Sequence, residues 1–93
     1  MPMLAMQQVV PAQFIHEVWP QYPVGSDGAR VAGFTVVQSV VDDAGIIREA
    51  FVIQTSGVKA LDAAALIAAS SSTYHPAASG AVALYEAVYQ FVP

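Results

Sequence analysis

The chain has 93 residues, a formal net charge of −4 and only three basic residues, Arg30, Arg48 and Lys59. That length supports one domain with one core and a thin stability margin. Three scattered cations cannot neutralise a run of phosphates, which excludes nucleic acid and argues against an anionic membrane surface as partners. Hydrophobic residues make up 56% of the chain and charged ones 11%, which excludes disorder as the main state. Cysteine is absent, so disulfides, thiolate metal sites and Cys-based catalysis are excluded, while the compartment stays open. No apolar run reaches the length of a membrane span, so no direct membrane insertion is expected. Met1 to Met6 lacks the basic region and long apolar core of a signal peptide.

In chain order, residues 1–18 read as an arm, extended or loosely ordered, and residues 19–93 as the domain. Within the arm, Val9-Val10 and Phe14 to Trp19 look extended, with Pro11 and Pro20 as stops. Residues 20–33 have loop composition. Gly33 opens the first strand, in which Phe34, Val36, Gln38 and Val40 share one face, and Thr35, Val37, Ser39 and Val41 the other. Asp42-Asp43-Ala44-Gly45 reads as a turn, and Ile46 to Gln54 as the returning strand of a hairpin. Leu61 to about Ser70 reads as a helix, with Leu61, Ala64, Ala65 and Ala68 on one stripe and Asp62 in the first turn. Ser70 to Thr73 lets the helix fray, and Pro76 forbids its continuation. Ala81 to Val92 is the last strand. The expectation is an α+β domain of order β-β-α-β. Its three-stranded antiparallel sheet carries one helix packed on one face.

The residues Tyr22-Pro23, Gly33, Val41-Asp42-Asp43-Ala44-Gly45, Ser56-Gly57, Leu61-Asp62, Ala64-Ala65-Leu66 and Tyr74-His75-Pro76-Ala77 fall in an order that resembles the TonB C-terminal domain family. The resemblance covers residues 19–92 and runs without a gap from Leu61 to Ala77. It implies a non-enzymatic interaction domain of the periplasm that grips a peptide of an outer-membrane transporter, or of another envelope protein, by β-strand addition. Three departures accompany it. Ser72 stands where the family's helix usually ends in a Trp-containing basic stretch. Ser26-Asp27-Gly28 replaces basic residues. The membrane anchor and Pro-rich spacer of the full transducer are not present in these 93 residues.

Other constellations have plainer readings. His16 and His75, even with Glu17 or Asp62, fit no metal-ligand spacing. His75 reads as an exposed loop residue. Ser56 and Ser70 to Ser72 lie in a turn and a helix end, with no nucleophile elbow. Asp42 and Asp43 are explained by the turn. Gly25, Gly28 and Gly33 are followed by no Lys-Ser/Thr and form no phosphate loop. No cofactor, metal or catalytic residue is expected.

In the last strand Tyr85, Tyr89 and Phe91 alternate on one face, which reads first as core packing. Both faces of the sheet are mostly apolar, and the edge strands lack the lysines that block edge pairing. The residues expected to meet a partner are therefore Tyr85, Ala87, Val88, Tyr89, Gln90 and Phe91, because that strand ends the sheet. An alternative on the same fold is a self-assembling structural subunit, a homo-oligomer or filament joined through sheet faces and edges.

Overall fold

The computed structural model describes residues 9–23 and 31–93. Expectations that fall on residues 1–8 and 24–30, including Gly25, Ser26 to Gly28 and Arg30, lie outside the described residues. The elements are β1 (Val9–Pro11), β2 (Phe14–His16), β3 (Gly33–Asp42), β4 (Ile47–Gln54), α1 (Lys59–Ser71), β5 (Thr73–Tyr74) and β6 (Val82–Phe91).

The hairpin forms where its residues place it. The Asp42 carboxylate accepts the amides of Ala44 and Ile46, both at 2.9 Å, and Arg48 Nε at 2.7 Å. Gly45 completes the turn at φ +82, a value that penalises any side chain. Asp43 accepts the Gly80 amide at 2.9 Å, so the turn also holds the loop that leads into β6. The helix starts at Lys59, two residues before the expected start, because the anchoring group is a carboxylate inside its first turn. Asp62 accepts Thr35 Oγ1 at 2.7 Å, the Ser56 amide at 2.9 Å, Ser56 Oγ at 2.8 Å and the Thr55 hydroxyl. One side chain thus ties α1 to the start of β3 and the end of β4.

β6 returns antiparallel to β3 with ten registered pairs, from Gly33↔Phe91 to Asp42↔Val82, and no shift. The sheet is not three-stranded, however. Its order is β1-β6-β3-β4, with β1 parallel to β6, and a separate two-stranded ribbon pairs β2 with β5. The reason is a mismatch of lengths. A 13-residue helix spans about 20 Å, whereas a ten-residue strand spans about 33 Å. The helix therefore covers one part of the sheet, where Val37, Leu61, Ala65, Ala68, Ala69, Tyr89 and Phe91 form a buried cluster. The remainder is covered by the N-terminal segment. Val10, Ala12 and Phe14 pack on a second cluster of Val41, Tyr74 and Tyr85.

Ser72 has a role in this arrangement. It is buried, its hydroxyl donates to the Ala68 carbonyl at 2.8 Å, and it accepts the Val18 amide at 2.9 Å. Thr73, expected in a fraying helix end, instead leaves the helix in extended form together with Tyr74, and both pair with β2. The opposite face of the sheet carries no second layer among the described residues. Phe34, Phe51, Ile53, Val82 and Val88 are exposed there.

Candidate functional site

Strand β6 follows directly from alternation. Odd positions point to the helix side, where Tyr85, Tyr89 and Phe91 are each 4% exposed and Ala87 is half-buried. Even positions point to the open face, where Val88 and Gln90 are exposed. The backbone alternates too. The Glu86 carbonyl accepts the Ala12 amide at 2.9 Å, so Glu86 directs its main-chain groups away from β3. The two-residue period aims those of Val88 and Gln90 the same way. Among the described residues β1 pairs with Leu84, Tyr85 and Glu86. The outward amides and carbonyls of Val88 and Gln90 therefore have no partner among the described residues.

The six expected partner residues thus divide. The rings of Tyr85, Tyr89 and Phe91 are scaffold: Tyr85 stacks on Tyr74 at 5.5 Å between centroids, and Phe91 meets Tyr22 edge-on at 5.5 Å. Val88 and Gln90 hold the open edge. The expectation that β6 ends the sheet is corrected over its first half, where β1 lies outside it. The role of β1 was missed in the sequence. Its signal was there in two β-branched residues before a proline, a combination suited to an edge, where a missing amide costs little.

β4 forms the other edge. It is exposed but irregular, with register shifts between Val36 and Val37 and between Val40 and Val41. A shallow cleft of about 740 Å³ lies elsewhere, between the Val18–Pro23 segment and the outer face of α1, with Trp19, Tyr22 and Ile67 in its lining. The two histidines are exposed on the β2–β5 side, and His75 donates its amide to the Gln13 carbonyl at 2.9 Å. Among the described residues no three His, Cys, Asp or Glu side chains converge to hold a metal ion. No described helix is long and apolar enough to cross a membrane.

The charges near the sheet serve structure. Burial alone would raise the Asp62 carboxyl, but hydrogen bonds from Thr55, Ser56 and Thr35 outweigh it and hold the group well below the usual carboxylate range. The Ile46 amide likewise leads the groups that lower Asp42. Burial pushes the Tyr74 and Tyr89 hydroxyls up. Tyr74 donates to the Ala69 carbonyl at 2.8 Å, while the buried Tyr89 hydroxyl lies near that of Tyr74 and completes no hydrogen bond among the described residues. None of these groups lines the cleft between the Val18–Pro23 segment and α1.

No curated protein and no solved structure matches the chain. Residues 18–91 match the family described as the Gram-negative bacterial TonB protein C-terminal, a span that contains β3, β4, α1, β5 and β6. The chain belongs to the TonB C-terminal family, whose members are periplasmic, non-enzymatic interaction domains of envelope energy transduction.

Proposed function

We propose that this domain works in the periplasm and binds a peptide segment of an outer-membrane transporter, or of another envelope protein, as an added strand on the outer edge of β6. The single observation that carries this reading is that the outward backbone groups of Val88 and Gln90 have no partner among the described residues, on a strand whose register with β3 is regular over ten pairs. An added strand satisfies those groups, so main-chain hydrogen bonds supply affinity and side chains at alternate positions supply selection. Tyr85, Ala87, Tyr89 and Phe91 hold β6 rigid from behind. Val88 and Gln90 meet the peptide. The test is a fluorescence-anisotropy titration with labelled peptides from periplasm-facing segments of outer-membrane transporters. Binding by wild type that is lost in Val88→Pro, with the fold intact by circular dichroism, supports the reading. Binding that survives Val88→Pro overturns it.

A second reading has its own observation. The open sheet face exposes Phe34 at 43%, Phe51 at 41% and Val88 at 61%, a group of large apolar side chains of the kind that marks interfaces. On this reading two copies pair through those faces as a homo-oligomer. Light scattering across a hundredfold concentration range decides it: a monomer throughout contradicts self-assembly, and a stable multiple supports it.

A further inference from the structure

Strand β1 occupies the very edge to which the proposed function assigns a partner. We propose that β1 is an in-chain stand-in for the incoming peptide, so that this domain binds its partner only as Val9–Pro11 gives up the β6 edge. The inference rests on the strand-addition reading and extends it to the partner's direction, chemistry and regulation.

Four observations carry it. First, β1 is already an added strand. It is registered as Val9↔Leu84, Val10↔Tyr85 and Pro11↔Glu86, and Ala12 donates its amide to the Glu86 carbonyl. Second, it runs parallel to β6, so a peptide that takes its place in the same crevice runs in that direction too. Third, the crevice has a defined shape. Val10 and Ala12 enter beside the stacked Tyr74 and Tyr85 rings, which fits a ligand with small or β-branched apolar side chains two residues apart. Fourth, the described pairing stops at Pro11↔Glu86, and the Ala12 amide adds the last hydrogen bond, to the Glu86 carbonyl. Val88 and Gln90 lie just past the end of β1. A longer peptide can therefore bind first at these free groups and then displace β1 from Glu86 backwards.

Occupied by its own strand, the edge weakens an outside peptide by the fraction of time that β1 is docked. A strand docked about ten to a hundred times more often than not reduces apparent affinity by the same factor. The probe is a labelled peptide of the chain's own residues 9–16, which carries the required chemistry by construction. The chain has no native cysteine. Val9→Cys with Leu84→Cys therefore places one disulfide across register partners, which sit about 4.8 Å apart in a sheet, within the reach of a disulfide.

The full-length double variant should bind the peptide when reduced and lose at least about tenfold in affinity when oxidised. Ala12→Pro, which removes the amide that Glu86 accepts, should bind it about tenfold more tightly than wild type. Equal affinity in the oxidised and reduced forms overturns the inference. If that shared binding disappears on Val88→Pro, the edge is still an acceptor, and only the role of β1 falls. Failure of every form to bind the 9–16 peptide also overturns the inference, whereas the strand-addition reading is decided separately by the transporter peptides. A dimer of Ala12→Pro in which β1 crosses to a second copy supports it, because the edge then takes the same strand from outside.

Discussion

β4 and β6 flank the same central strand and meet solvent along different lines. β4 departs from β3 at two register shifts, and its two ends are fastened by carboxylates: Asp42 at the turn and Asp62 beyond Gln54. Bulges twist an edge and break the even spacing that a new strand needs. β6 has no shift in ten pairs, and among the described residues β1 covers its outer side from Leu84 to Glu86 and leaves Val88 and Gln90 open. Irregularity protects the first edge, and β1 covers part of the second. A straight edge is the one that a new strand can extend, so the proposed partner is placed on β6.

The contrast is broken most severely by removing the fastening of β4. Asp62→Ala takes away the acceptor shared by Thr35, Thr55 and Ser56, and hydrogen bonds to a charged group contribute about 1.5–3 kcal/mol. Urea unfolding should show a loss of about 3 kcal/mol, and an unchanged midpoint would contradict the assignment. The same carboxylate sets a pH dependence. Its folded pKa is depressed, so its stabilisation is complete above the unfolded value of about 3.9 and is lost as pH falls through the folded value. Unfolding midpoints should therefore drop between about pH 5 and pH 2, and Asp62→Asn should flatten that drop.

Substitutions at the two edges sharpen the contrast. Val88→Pro removes an outward amide without touching the β3 ladder, so stability should change by less than about 1 kcal/mol while peptide affinity falls at least about tenfold. The backbone of Ala50 in β4 also faces outward by alternation, between Phe51 and Glu49, which pair with Gln38 and Val40. Ala50→Pro should leave peptide affinity within about twofold. Equal losses at both edges would erase the distinction. The smallest effect belongs to the scaffold behind β6. Tyr89→Phe deletes a buried hydroxyl that completes no hydrogen bond among the described residues and should be neutral or stabilising by up to about 1 kcal/mol, whereas Tyr74→Phe should cost about 1 kcal/mol.

These differences also explain what the sequence could disclose. The hairpin, the helix and β6 were legible because period-2 and period-3.6 apolar patterns and a local Asp-Gly turn specify them within a few residues. Asp62 was read through the helix dipole, and its bonds to Thr35 and Ser56 were not visible, because they depend on how α1 packs on the sheet. β1 was seen as an extended pair of valines before Pro11, without its place in the fold. Three residues carry too little pattern to name a partner strand more than seventy positions away. Its placement follows from the shortness of the helix relative to the sheet, a property of the assembled layers. For the site, the choice of β6 came from its position at the end of the sheet and from its aromatics. The rings of Tyr85, Tyr89 and Phe91 are buried on the helix side, and the outward backbone groups are those of Val88 and Gln90, whose direction only the register reveals.

The most direct measurement is amide hydrogen exchange of the full chain, residue by residue, with and without a bound transporter peptide. The account predicts new protection at Val88 and Gln90, loss of protection at Ala12 as β1 is displaced, and no change along β4. Protection that appears instead along β4, or no change at Val88 and Gln90 in a complex that demonstrably forms, would contradict strand addition at β6.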